Sequence, residues 1–207
     1  MSDAILVVNA GSSSIKFSLF LERGEALDPL LGGQIESLYT APRFKAKDAA
    51  GTVLSEQQWA QGETLGHDGA IAYLAGFLRE RLGEHRLAAV GHRVVHGGLD
   101  YAAPVRLTAE IAGHLERFIP LAPLHQPHNL KPIRLLLANQ PQLPQVACFD
   151  TAFHRHQPEV AQAFALPSEI TDRGVRRYGF HGLSYEYIAS VLSEYDARAA
   201  AGRAVVL

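Results

Sequence analysis

The chain has 207 residues, 47% of them hydrophobic, enough to bury a substantial core in one large domain or one and a half. With 19 Lys plus Arg against 21 Asp plus Glu, the formal charge of -2 supplies no broad basic field and argues against nucleic acid or an anionic membrane as partner. The single Cys148 rules out an intramolecular disulfide, the residues after Met1 lack the regions of a signal peptide, and no apolar run approaches the roughly 20 residues of a membrane span, so a cytoplasmic protein is expected.

Residues 4–8 form an apolar, β-branched run that meets Asn9, Ala10, Gly11 and three serines, Ser12 to Ser14; Ile15, Phe17, Leu19 and Leu21 then alternate with Lys16 and Ser18. This pattern predicts a β-hairpin with a polar turn. Residues 34–59 mix β-prone pieces with Gly, Pro and charge and read as further strand and loop. Ile71, Leu74, Phe77, Leu78 and Leu82 recur at helical spacing, predicting an amphipathic helix capped by Asp68 and ending near Gly83. Residues 87–90 read as a buried strand delivering Gly91, His92, Arg93 and the segment through His96 to Gly97 and Gly98. Thr108 is placed to cap a helix carrying Ile111, Leu115 and Phe118. Residues 120–129 read as a Pro- and His-rich loop, and residues 130–139 as a helix that tolerates Pro132 only in its first turn. Residues 146–149 are the next buried strand, leading into Asp150, and residues 184–192 a further helix after Tyr178 to Gly182. Ala204 to Leu207 has the look of a strand just begun, from which a truncated chain is expected. Alternation of helices with buried strands points to an α/β fold.

Four groups of residues carry candidate chemistry. Gly11 among three hydroxyl residues in a tight turn can offer backbone N–H groups and side-chain donors to phosphate oxygens, although the pattern is not a P-loop and a solvated hairpin turn fits equally well. Arg93 at a strand's end is placed to grip a carboxylate or phosphate bidentately; its alternative is a structural arginine paired with a neighbouring acid. His92 and His96 stand four apart, but Gly97 and Gly98 argue against a helix there and so against a zinc site. Asp150 at the end of its strand is expected to project into the same cleft and to hold Mg²⁺ through water or orient an acceptor, unless it merely caps a turn. His125 and His181 are each more often structural alone, and together with Asp150 complete a candidate site. His154 and His156 are expected at its rim or on the surface.

Taken in order, Val7 to Lys16, Gly91 to Gly98, Phe149 to His154 and Arg177 to Gly182 resemble the acetate kinase family over nearly the whole chain. The resemblance implies an α/β, ribonuclease-H-like (actin-like ATPase) fold with a mixed sheet. It places a first domain at residues 1–149 and the start of a second, nucleotide-binding one at 150–207. It implies a phosphotransferase moving the ATP γ-phosphoryl group to acetate with Mg²⁺ or Mn²⁺, and a homodimer at full length. By motif, Asn9, Ser12, Ser14 and Lys16 resemble the phosphate-side hairpin, Arg93 the carboxylate-binding residue, and Asp150 the catalytic acid that with Asn9 is associated with the metal. His181 and His125 resemble residues that meet the phosphoryl group in flight, while Val95, Leu124 and Phe180 resemble the wall against the acid's alkyl end. Two departures stand out: Gln126, Pro127, His128 and Asn129 replace the family's commoner Asn-Pro-Pro-Asn, and Gly182 to Tyr185 replaces Gly-Thr-Ser-His. Propionate or butyrate is the alternative acceptor, and a non-catalytic ATP-binding module of the actin or heat-shock-chaperone kind is the alternative class. The family's remaining phosphate, adenosine and second-arginine elements are expected beyond Leu207, so the chain alone is expected to be inactive.

Overall fold

The computed structural model describes residues 2–202. Strands β1 (Asp3–Ala10) and β2 (Ser14–Arg23) form the expected hairpin, with Ala10 opposite Ile15 and Asn9 opposite Lys16. Strands β3 (Ala26–Glu36), β4 (Arg43–Asp48) and β5 (Val53–Gln58) extend it antiparallel, which resolves the mixed strand-and-loop stretch. Helix α1 (Gly66–Leu82) then crosses over to β6 (Arg86–Val94), which lies parallel beside β1. After β7 (Val105–Arg106), α2 (Ala109–Glu116) and α3 (Gln126–Asn139), strand β8 (Gln145–Phe149) pairs in parallel with β6. The result is a mixed eight-stranded sheet in the order β5-β4-β3-β2-β1-β6-β8-β7. The chain continues through two single-turn helices, α4 (Glu159–Gln162) and α5 (Ser168–Thr171), to α6 (Gly182–Tyr195) and α7 (Ala197–Ala201). Among the described residues no helix is long and apolar enough to cross a membrane.

Period-two alternation decides which face is covered. Leu6, Val8, Ile15, Phe17, Leu19, Ile35 and Phe44 point to one face, and with Leu74, Phe77 and Leu78 of α1 they form one core. Val94, Leu115, Leu130, Ile133 and Phe149 form a second between the sheet and the α2–α3 pair. The opposite face therefore receives the odd-numbered partners along β1 and β6, Asn9 and Arg93 among them, and the even-numbered Lys16 of β2. Placement of the candidate residues is thus a by-product of hydrophobic register.

Three sequence expectations are corrected. Asp68 does not cap α1, which starts two residues earlier: the N–H groups of Leu65 and Gly66 both donate to Leu38 O at 3.0 Å, and Gly66 takes φ +57. Asp68 instead pairs with Lys131 at 2.7 Å. Residues 126–129 are not loop but the first turn of α3, so Pro132 lies inside the helix. Their polarity misleads because Gln126 and Asn129 are buried and bond to backbone outside the helix. Phe118 lies past the end of α2, whereas Thr108 caps it, accepting from Ile111 N at 3.1 Å. The strand expected at residues 204–207 lies outside the described residues.

His92 and Gln145 join β6 to β8 inside the core. The Gln145 Oε1 only accepts, so His92 Nε2 carries the hydrogen across their 2.8 Å contact. Burial pushes the ring from its ordinary 6.5 down to about 4. The unfolded chain takes up this proton at higher pH than the folded one. Stability from this group is therefore intact above about pH 6.5 and falls by about 3 kcal/mol as the pH drops toward 4. We expect the His92 ring resonances to stay in their neutral position at about pH 5 in an NMR titration; a midpoint near 6.5 would overturn this reading.

Candidate active site

Arg93 is the centre of the arrangement. Its Nε donates to both carboxylate oxygens of Asp150 at 3.1 Å, its Nη2 to Oδ2 at 2.5 Å, and its Nη1 to Asn9 Oδ1 at 3.1 Å. Adjacent parallel strands make this possible: β1 carries Asn9, β6 carries Arg93, and Asp150 follows β8, with its N–H donating to Val94 O at 3.0 Å. The structural alternative for Arg93, pairing with a neighbouring acid, is therefore realised, and the acid is Asp150. This does not exhaust the guanidinium. Of its five N–H donors three are engaged among the described residues, which leaves two for a ligand. Asp150 is 2% exposed and the Arg93 side chain 29%, so the charge is anchored from below and open above.

A cavity of about 380 Å³ opens over this pair. Val95, Leu121, Leu124 and Phe180 give it apolar walls, while Arg93, Asp150, His125 and His181 supply its polar groups. Carboxylate-binding charge and an apolar wall thus share one space, which suits a short organic acid better than a hydrated inorganic anion. On the other side of Asn9, Lys16 lines an open groove with Lys45 and Lys47. Ser12 is exposed at the tip of the hairpin turn and Ser14 begins β2; the turn is closed by Gly11 N donating to Ser14 O at 2.8 Å. The structure therefore brings together Asn9, Arg93, Asp150, Val95, Leu124, His125, Phe180 and His181, sets Lys16 next to them on the far side of Asn9, and leaves Ser12 and Ser14 at the hairpin tip.

His181 occupies the left-handed region at φ 58, unusual for a residue with a side chain. The seat is fixed by its successor: Gly182 N donates to Asp150 O at 2.9 Å, so α6 begins directly against the acid. His154 Nε2 lies 3.0 Å from Phe180 O, so it braces the segment that carries His181. His96 is 1% exposed, accepts from Gly98 N through Nδ1, and has no hydrogen-bond partner for Nε2 among the described residues; its ring meets Tyr178 edge-on at 4.5 Å. Its neutral form is favoured, since burial lowers its pKa. Neither His92 nor His96 belongs to a metal cluster, and none of three or more His, Cys, Asp or Glu side chains exists among the described residues.

A divalent cation would suit Asp150 and Asn9 better through water than by direct ligation. Both Asp150 oxygens and the Asn9 oxygen already accept from Arg93, whose positive charge would stand beside the ion.

Three buried polar residues escaped the sequence reading. Asn129, 2% exposed, accepts from Val95 N at 2.9 Å and donates to Ala10 O at 2.6 Å, tying the hairpin to β6. Gln126, 0% exposed, accepts from His96 N and donates to His96 O and Leu115 O. His67, also fully buried, bonds to the hairpin turn itself. The i, i+3 spacing of Gln126 and Asn129 beside Leu130 and Ile133 was the one available signal.

A family profile described as the Acetokinase family matches residues 4–206. An acetate kinase of Rhodopseudomonas palustris is 53% identical over 209 residues, covering 100% of this chain and 52% of the relative. One of Rhizobium meliloti is 50% identical, covering 99% and 52%. Among solved structures, an acetate kinase of Porphyromonas gingivalis and a propionate kinase of Francisella tularensis each superpose with a TM-score of 0.79 at 34% identity, over 94% of this chain and 49% of theirs. The chain spans about half the length of the curated relatives it matches.

The seat of His181 is the least tolerant contact in the arrangement. A Cβ on Gly182 would stand 2.1 Å from Asp150 O and 2.9 Å from Phe153 Cβ. We expect Gly182→Ala to push α6 off the acid and to cost about 1–3 kcal/mol, seen as a lower urea midpoint. An unchanged midpoint would show that α6 is not seated as described.

Proposed function

The chain belongs to the acetokinase family, and from that premise we propose that it forms the acceptor-binding side of an acetate kinase, in which the ATP γ-phosphoryl group passes reversibly to acetate. The observation that carries this reading is the pair of free N–H donors on Arg93 at the floor of an apolar-walled cavity. Acetate grips those donors with its carboxylate and lays its methyl group against Val95, Leu124 and Phe180. It is already ionised at neutral pH, so no general base is needed. One carboxylate oxygen attacks the γ-phosphorus in line, the new O–P bond forms as the bond to the β-phosphate oxygen breaks, and ADP leaves with that electron pair.

In this scheme positioning and charge do the catalytic work. Asp150 holds Arg93 at one height above the sheet and so fixes the attacking oxygen. His181 and His125 both line the cavity and donate to the phosphoryl oxygens. Asn9, Ser12, Ser14 and Lys16 receive the phosphate tail at the hairpin. Asp150 and Asn9 are the residues that would hold a magnesium ion, through water, and the ion would supply positive charge to the phosphate oxygens. The domain boundary falls at Asp150, where the sheet ends, with residues 150–207 opening the second domain. Residence in the cytoplasm and assembly as a homodimer belong to the same proposal. A larger acceptor, propionate, is a second reading, supported by the cavity of about 380 Å³ and its open mouth at Leu124, which is 73% exposed.

The test replaces the aligned segment of the Rhodopseudomonas palustris relative with this chain and follows acyl phosphate formation with hydroxylamine. Arg93→Ala in that chimera is expected to raise the KM for acetate or lower kcat by a combined factor worth about 1.5–3 kcal/mol, with the KM for ATP little changed. Unchanged acetate kinetics would reject the role of Arg93, and preference for propionate would move the proposal to the second reading.

A further inference from the structure

His67 lies in the first turn of α1, far from Arg93 in sequence, and is fully buried. Its Nε2 meets Gly11 O at 2.7 Å and its Nδ1 meets the Tyr39 hydroxyl at 2.8 Å. A carbonyl oxygen only accepts, so Nε2 carries the hydrogen; in the neutral ring Nδ1 then accepts from the Tyr39 O–H. With the ring neutral, the relay runs one way: Tyr39 donates to His67, and His67 donates to Gly11. His128 of α3 stacks on the His67 ring at 4.9 Å and 16°, and its neighbour Asn129 donates to Ala10 O. Two successive carbonyls of the hairpin, Ala10 and Gly11, are thus held by side chains from two different helices.

In a planar trans peptide the C=O of one residue and the N–H of the next point in opposite directions. Holding the Gly11 carbonyl against His67 therefore turns the Ser12 N–H outward, away from the core. Ser12 N donates to no protein acceptor among the described residues, whereas Gly11 N is used within the turn. Gly11 is also the residue at which this peptide flips most easily, since it has no Cβ to oppose the rotation. Without a restraint the Ser12 N–H would spend part of its time turned inward.

We propose that His67, oriented by Tyr39 and His128, is a positioning residue that fixes the Gly11–Ser12 peptide so that the Ser12 N–H is presented to a phosphoryl oxygen. The inference rests on the reading of the hairpin as the phosphate-binding side of the site. Its chemistry is an outward backbone donor, held before the ligand arrives, of the kind that oxyanion sites use. His128 suits the role because burial, followed by its neighbours His67, His125 and Lys131, lowers its pKa and keeps it uncharged against the ring it supports.

The experiment titrates the chain with inorganic phosphate, and separately with acetate, following amide resonances by NMR. In the wild type the Ser12 amide should shift saturably with phosphate, and the Val95 and Phe180 amides with acetate. His67→Phe keeps a flat ring for His128 but removes the donor; it should weaken phosphate binding about tenfold, the worth of one hydrogen bond to a charged group, while the acetate response stays. His67→Gln returns an N–H near the same place and should recover most of the loss. Tyr39→Phe, at a residue that is 48% exposed, removes only the hydroxyl and should weaken phosphate binding by about twofold to fivefold without disturbing the fold. Equal phosphate affinity in the wild type, His67→Phe and Tyr39→Phe overturns the positioning role alone. A wild-type Ser12 amide that ignores phosphate overturns the phosphate reading of the hairpin and this inference with it.

Discussion

A carboxylate taken out of water must be paired and hydrogen-bonded or it will not remain charged, and Asp150 at 2% exposure is this chain's clearest case. Arg93 answers it on both oxygens, and Asn9 answers the third guanidinium donor. Asn9 lies on β1, Arg93 on β6 and Asp150 directly after β8, so the arrangement forms only when these three strands lie side by side in parallel register. The pair is costly to desolvate and its value is orientation: it sets a partly exposed guanidinium at a fixed height beside a cavity, with two N–H donors not engaged by the described residues. Every role assigned around it, from the apolar wall to the seat of His181, is measured from that fixed point.

Around the pair the sheet divides labour by face. Register sends the apolar side chains toward α1 and α3 and leaves Asn9, Lys16 and Arg93 on the other face, so core formation and site formation are one event. Buried amides then stitch the segments that register cannot reach: Asn129 joins Ala10 to Val95, and Gln126 holds the backbone of His96. The Gln126 side chain spans from the first turn of α3 to both His96 and Leu115. His128 of the same turn adds the ring that stacks on His67.

Much of this was legible before any coordinates. The apolar run before Asn9, the alternation after Ser14 and the strands ending at Arg93 and Asp150 are local signals with period two, and local signals survive in sequence. The partnership of Arg93 with Asp150 is not local: 57 residues separate them, and only strand order brings them together. The first turn of α3 reads as loop because Gln126, His128 and Asn129 look solvated, yet Gln126 and Asn129 are buried, their partners being backbone groups of β1, of α2 and of the segment after β6. His67 left no trace at all, since nothing in its spacing reveals a contact with a carbonyl 56 positions earlier. Asp68 stands where a cap would precede the helical periodicity, but the backbone turn at Leu65 and Gly66 starts the helix without a capping side chain.

The central claim is that Arg93, while held by Asp150 and Asn9, still has an open edge that receives a short carboxylate beside an apolar wall. The most direct measurement is a crystal structure of the chain with acetate bound. The account expects the acetate carboxylate on the two remaining N–H groups of Arg93, the methyl group against Val95, Leu124 and Phe180, and the pair with Asp150 intact. Acetate bound away from Arg93, or bound there only after Asp150 has been displaced, would contradict it.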